Sequence, residues 1–390
     1  PATSASRTLR ATKLRYVPLG RVYRLGSLAG RVDWQPRSSA PGRLALRIAQ
    51  ICPPWLAVPP KGYGGIEWVV ALLADGLVEA GHDVTLFATG DSKTRAHLKF
   101  VFEQAPGSAA INDITLDTTH TLFSLRDARD RFDVLHVHSP FSALAAAVET
   151  GVPTLHTLHG AFVPEMRRLY SLVAERAWFV AISEAQRRFN EELRYAGVVY
   201  NGIDMSVYGL REEKEDFVLF LGRAAPEKGW RRAVDAAKLA GVRLVSAVKI
   251  AHPSEQHEWE TSIRPVLPSD FEVMGEISQE EKVDLLRRAK AVLFPIDWPE
   301  PFGLVMTEAM ACGTPVIATP RGSVPEVVAD GITGWIVDVE DYPVQAAERL
   351  TRLHEIDPLA CRERVDRLFS KQAMVTGYER VFEHALAAAR

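Results

Sequence analysis

At 390 residues the chain is too long for one ordinary core, and 47% apolar with 24% charged residues is the balance of a folded globular protein. A net charge of -3 argues against a nucleic-acid or general polyanion binder. No apolar stretch approaches the ~20 residues that cross a bilayer, and three scattered cysteines (Cys52, Cys312, Cys361) exclude a disulfide framework or cysteine-rich zinc site and point to a reducing, cytoplasmic compartment.

Charge is uneven along the chain. Residues 1–47 carry ten basic groups against Asp33 alone, net +9, so the remainder is -12. Residues 1–43 are rich in Ser, Arg and Gly without a periodic apolar face, and the chain opens on Pro1, as a processed or truncated terminus would. A disordered extension is the expected reading of this arm. Contact with anionic lipid at the inner membrane face, or a targeting role, is its rival.

From Leu44 the pattern turns to short apolar runs alternating with helical stretches. Leu44–Cys52 reads as a strand, a Pro/Gly-rich loop follows, and Ile66–Ala80 reads as a helix ending at Gly81. Further strands are expected at His82–Ala88, Asp133–Val137, Thr154–Leu158 and Phe179–Ile182. After a polar stretch over 201–215, strands resume at Phe217–Leu221, Val242–Val248, Phe271–Met274, Ala291–Phe294, Pro315–Ala318 and Trp335–Val337. This alternation implies two α/β, doubly wound parallel sheets: one over 44–200, a linker over 201–215, and a second over 216–357. Residues 358–390 read as helices with no strand partner, free to pack back across the junction. Ligands of such sheets sit beyond the carboxyl ends of the strands, so the expected site is the cleft between the domains.

The densest motif is FPIDWPEPFGLVMTEAMACGTPVIATPRGSVPE, over 294–326. A strand runs into a Pro-rich loop and then a helix near Phe302–Gly303. A helix start presents unpaired N–H groups to an anion such as a diphosphate. Glu300 lies just before that helix and Glu308 within it, where a carboxylate suits a sugar diol. Glu308 could instead be a solvated helix residue, but the helix is apolar nearly all round, and a carboxylate buried there needs a partner.

These residues resemble family 4 glycosyltransferases, retaining enzymes of the two-Rossmann GT-B fold. The shared pattern is E-P-F-G-L-x-x-x-E, A-x-x-C-G-T-P-V-I-A and P-E-V-V-x-D-G-x-T-G, and the likeness covers about residues 45–385. It implies that Glu308 holds the donor ribose, Glu300 contacts the transferred sugar, and the backbone of Phe302, Gly303 and Leu304 meets the diphosphate. Arg321-Gly322-Ser323 departs from the two glycines of many relatives.

LFLGRAAPEKG, over 219–229, places Arg223 and Lys228 near a strand end. Standing alone these would be surface cations; beside the motif above, they are expected to neutralise a leaving diphosphate. Gly64 and Gly65, in the loop Gly62–Gly65, match the family's glycine loop, with Lys61 and Glu67 flanking it. His136, His138, His156 and His159 cluster at two strand ends. No carboxylate or cysteine at ligand spacing accompanies them, so a metal site is not expected. One or both of His136 and His138 should be packed structurally. The family's T-[LF]-H element puts a sugar-contacting histidine on His159 first and His156 second. Glu276, just past an expected strand, and Arg321 complete the candidates. Asn201-Gly202-Ile203-Asp204 matches a hinge element. No D-x-D occurs, so neither metal nor other cofactor is expected.

The expected reaction is hexosyl transfer, with retention, from an NDP-sugar (a UDP-sugar by the commoner choice) to a hydroxyl of unidentified acceptor. A sugar-nucleotide epimerase on the same fold, or a non-catalytic nucleotide-sugar binder, is the alternative.

Overall fold

The structure is a computed structural model, and it describes residues 45–388 except 63, 127, 140, 141, 161–163 and 251. The basic arm and Tyr63 of the glycine loop therefore lie outside the described residues.

The first sheet contains β1 (Arg47–Ile51), β2 (Asp83–Phe87), β3 (His97–Lys99), β4 (Val134–Val137), β5 (Thr154–Thr157), β6 (Trp178–Ala181) and β7 (Tyr195–Val198). The second contains β8 (Glu215–Arg223), β9 (Arg243–Lys249), β10 (Glu272–Met274), β11 (Ala289–Phe294), β12 (Val316–Ala318) and β13 (Gly334–Ile336). Their orders are β3-β2-β1-β4-β5-β6-β7 and β10-β9-β8-β11-β12-β13, with every pairing parallel.

In the second sheet the central strands β8 and β11 are nearly continuous apolar runs because helices cover both faces and no face is left for water; Phe217–Leu221 is buried throughout. The edge strands β3 and β7 have no counterpart in the sequence reading. Each is only three or four residues long, and neither contains a fully buried residue. Edge strands have one open side, so they need no apolar signature.

Each sheet reverses its order once, between β1 and β4 in the first and between β8 and β11 in the second. At such a switch point the loops leaving two neighbouring strands diverge and open a crevice. The loops after β1 and β4 include the glycine loop and His138; those after β8 and β11 carry Lys228 and Glu300.

The C-terminal helices join the halves. Pro358–Phe369 packs on the second domain, with Cys361, Val365 and Phe369 in its core. Ser370 is extended and caps the next helix, Lys371–Ala387. That helix buries Met374, Tyr378 and Phe382 against Ile48, Leu73 and Val180 of the first domain. The N-G-I-D link is clamped at the turn between them: Ile203 N–H donates to Phe369 O at 2.9 Å, and Lys371 N–H donates back to Ile203 O at 2.9 Å. Among the described residues no helix is long and apolar enough to cross a membrane.

Candidate active site

In the second domain, β8 and β11 lie side by side with Val292 opposite Leu219, so their exit loops are neighbours. Lys228, in the turn after β8, places Nζ 2.8 Å from Glu300 Oε2. The indole N–H of Trp298 donates to the same oxygen at 3.0 Å, and the ammonium lies 4.3 Å from the Trp298 ring centroid. Glu300 is thus held by a cation and a neutral donor, and its side chain is only 13% exposed. The loop of Arg321-Gly322-Ser323 folds over it, with Ser323 N–H donating to Glu300 O at 2.9 Å. A Cβ on Gly322 would fall 2.2 Å from Glu300 O, and its φ of +56° belongs to the left-handed region. Only glycine allows that approach.

Two of the expected site cations already have carboxylate partners. The Arg223 guanidinium does not stand free beside the cleft: it closes on Glu255, with Nε at 2.6 Å and Nη2 at 2.5 Å from Oε1. Glu255 is 1% exposed and also accepts from His252 N–H at 3.1 Å. Burying that carboxylate requires a counter-charge, and Arg223 supplies it. Arg321 likewise turns to Asp297, with Nε at 3.1 Å and Nη2 at 3.0 Å from Oδ1, on an exposed loop.

The helix Leu304–Ala311 begins at Gly303, whose φ is +80°, and Phe302 anchors the turn by packing against Tyr200 and Phe369. Its first turn leaves the N–H groups of Leu304 and Val305 without intrahelical partners. Inside the helix, Glu308 is 5% exposed. Its Oε1 accepts from Tyr208 Oη at 2.7 Å and from Lys282 Nζ at 2.7 Å. Burial, then the adjacent carboxylate, pushes the Tyr208 phenol far up, so it stays a donor. Oε2 has no hydrogen-bond partner among the described residues, an unmet capacity that costs free energy unless a ligand fills it.

In the first domain, the glycine loop faces the second. A Cβ on Gly65 would lie 3.6 Å from Leu304 Cδ1, and one on Gly62 would lie 3.3 Å from Glu276 Oε1. Glu276 is paired with Lys249 at 3.1 Å. Gly64 precedes the helix Gly65–Glu79, tucked against Pro60 and Glu67.

The four histidines divide. His159 lies just past β5, half-buried, with Nε2 2.9 Å from His138 Nδ1. Burial lowers its pKa to about 4, so the ring is neutral at physiological pH. His138 is 1% exposed and its Nε2 lies 2.6 Å from Gln50 Oε1. His136 Nε2 meets Thr157 Oγ1 at 2.7 Å, under Tyr378. His156 is a correction: it packs in the core against Tyr170 and Phe179, and its Nδ1 lies 3.0 Å from Val137 O. Side chains alternate along a strand, so His156 does not share the setting of His159.

A family model described as Glycosyltransferase Family 4 matches residues 63–207, and one described as Glycosyl transferases group 1 matches residues 208–366. The chain belongs to glycosyltransferase family 4. It is 28% identical to phosphatidyl-myo-inositol mannosyltransferase of Mycolicibacterium smegmatis, over 77% of this chain and 83% of that one. It is 28% identical to D-inositol 3-phosphate glycosyltransferase of the same organism, over 77% and 81%. Among solved structures, AviGT4, a glycosyltransferase involved in avilamycin A biosynthesis, aligns with a TM-score of 0.65 and 28% identity, covering 88% of this chain and 98% of that one. Anabaena HepE in complex with UDP and glucose aligns with a TM-score of 0.67 at 20% identity over 87% and 99%, a likeness of fold.

In this glycosyltransferase the two halves are also tied by Glu326 of the P-E-V-V segment. Its carboxylate accepts the N–H groups of Glu184 (2.7 Å) and Ala185 (2.6 Å) and the Tyr200 hydroxyl (3.0 Å). The sequence reading found neither this tie nor Tyr208, Lys282, Glu255, Trp298 and Gln50. A signal existed for Glu255, since His252-Pro253-Ser254-Glu255 has the spacing of a helix start with an acid at its third position. Tyr208 and Lys282 carry no local signal; they reach Glu308 only through the fold.

Proposed function

We propose that this glycosyltransferase moves a hexosyl group from an NDP-sugar, with UDP as the base carrier, to a hydroxyl acceptor with retention of configuration and without a metal. The observation that carries the reading is Glu308: a buried carboxylate with one oxygen held by Tyr208 and Lys282 and the other unpartnered. A ribose hydroxyl donating to Oε2 would satisfy it. The UDP and glucose present in the HepE complex are in keeping with such a donor.

The remaining roles follow from placement. The diphosphate meets the helix start at Phe302–Leu304, where N–H groups and the helix dipole favour an anion. Lys228 keeps two N–H donors beyond the one given to Glu300, and the Arg223 side chain, still 36% exposed beside Glu255, offers its outer edge. Together they neutralise the charge that develops as the bond from the anomeric carbon to the phosphate oxygen breaks. Glu300 Oε1 is left to accept from a sugar hydroxyl, and His159 meets the transferred sugar from the first domain. The acceptor oxygen bonds to the anomeric carbon on the same face, and its proton passes to the departing phosphate. Closure of the two domains, with Gly62 beside Glu276 and Gly65 beside Leu304, excludes water, which would otherwise take the hexosyl group.

Thermal-shift titration with UDP, GDP and ADP and their sugar conjugates tests this. Stabilisation by a UDP-sugar, lost in Glu308→Gln, is the expected result. Equal response of the variant and the wild type to every nucleotide would overturn it.

A further inference from the structure

We infer that His138, held by Gln50, sets the tautomer of His159, so that His159 offers the cleft an unprotonated Nδ1 and acts there only as a hydrogen-bond acceptor. This rests on the reading of His159 as the sugar contact.

The geometry is a three-residue chain built across adjacent strands. Gln50 on β1 and His136 on β4 are register partners, which puts His138, two residues on, above Gln50 at the carboxyl end of the sheet. His159 follows β5, the neighbour of β4. Gln50 and His138 are 0% and 1% exposed, so no solvent competes for their hydrogen bonds.

A neutral imidazole has one N–H and one lone pair, and a partner on one nitrogen dictates the other. Gln50 places its carbonyl oxygen 2.6 Å from His138 Nε2, with its own amide nitrogen buried and unpartnered among the described residues; in this amide orientation the oxygen accepts, and Nε2 carries the proton. His138 Nδ1 is therefore a lone pair. The contact of 2.9 Å to His159 Nε2 is a hydrogen bond only if His159 donates. His159 is then protonated on Nε2 and bare on Nδ1, and Nδ1 has no partner among the described residues. The His138 ring packs closely against His136, with ring centroids 4.1 Å apart and planes tilted by 46°.

The chemical consequence is specific. His159 cannot protonate the leaving oxygen from Nδ1, and its contact to the hexosyl group is to a hydroxyl that donates. His138 touches no substrate in this arrangement; it is a positioning residue.

The test is long-range nitrogen–proton correlation of histidine-labelled full-length protein at pH 7, with His159 assigned by its loss in His159→Ala. The Nε2–H tautomer is expected. An Nδ1–H tautomer, or an imidazolium, overturns the inference without any activity measurement. Two variants then separate positioning from packing. His138→Asn keeps an acceptor oxygen near the position of Nδ1, and His138→Leu keeps only volume. The expected result is a kcat within about threefold of wild type for the first and about tenfold lower for the second, with donor affinity held within about twofold in both, as loss of one neutral hydrogen bond implies. Equal loss in both variants overturns the positioning role. Wild-type turnover in His159→Ala, with the Nε2–H tautomer seen in the unsubstituted protein, leaves the tautomer assignment standing and removes the sugar contact.

Discussion

Lys228 Nζ lies 2.8 Å from Glu300 Oε2, although 72 positions separate the two residues. The pairing exists because β8 and β11 are neighbours at the point where the second sheet reverses order, so each residue leaves its own strand toward the other. The contact keeps the ammonium and the carboxylate within one small region of the cleft floor, where a diphosphate and a sugar would be handled together.

Replacing the lysine separates charge from shape. Lys228→Met should lower kcat/KM by about 100-fold, the order expected when one electrostatic stabiliser of a developing anion is lost. Lys228→Arg should recover part of that. Initial rates at several donor concentrations decide the matter; a variant within twofold of wild type would remove Lys228 from the leaving-group role.

For Glu308→Gln, two effects are expected from one substitution. The affinity for the nucleotide should fall by about tenfold, since a charge-assisted acceptor becomes a neutral one. The fold should also lose about 1–3 kcal/mol, because Lys282 is left without its counter-charge. Nucleotide titration by calorimetry and urea unfolding measure the two separately. Loss of stability without loss of affinity would reduce Glu308 to a structural role.

Gly322→Ala tests the fold-over of the loop on Glu300. Its left-handed φ and the 2.2 Å approach of a new Cβ to Glu300 O should cost about 2 kcal/mol or more and displace the backbone of Glu300. Turnover should fall more steeply than the affinity for free nucleotide, because Glu300 is read as touching the sugar. Unchanged unfolding and kinetics would contradict the geometry.

The buried imidazoles predict an acid-labile fold. Burial lowers the pKa of His120 and His159 to about 4 and of His156 to about 3, and it holds His136 and His138 well below the usual range. An unfolded chain takes up these protons near pH 6.5, while the fold does not until it is far more acidic. Unfolded protein therefore binds more protons across that interval, and stability falls as pH drops from about 6.5 toward 4. Carboxylates whose pKa the fold lowers, such as Asp133 and Asp216, add their loss only further down, whereas burial raises the pKa of Glu67 and opposes the histidines as the pH falls, so the interval from pH 6.5 to 5 reads chiefly the histidines. Urea midpoints at pH 7.5, 6 and 5 should decline in that order; a flat series would rule the effect out.

Much of the site was legible before the fold was known, for a local reason. Glu300, Glu308 and the helix start between them lie within nine residues, where one strand, loop and helix set their spacing. Lys228 was legible because it follows the Gly-Arg turn of β8. The partner of Arg223 was not legible, because Glu255 lies 32 residues on. His156 was ranked beside His159 because the two are three residues apart, but the strand ends between them and only one of them leaves the core.

The chain by itself determined the alternation of apolar runs and helices, hence two parallel sheets, and the cleft above their carboxyl ends, because periodicity and strand-end loops are local properties. It also determined the chemistry available there: two carboxylates, a lysine, an arginine and a histidine. Only the tertiary structure decided which of these are engaged and by what. Tyr208 and Lys282 reach Glu308 from 100 and 26 positions away, Glu326 ties the second domain to Glu184 and Ala185, and Gln50 is joined through His138 to His159. Burial is the physical reason. A polar group removed from water must find its partner in three dimensions, and spacing along the chain carries no record of which strand will lie beside it.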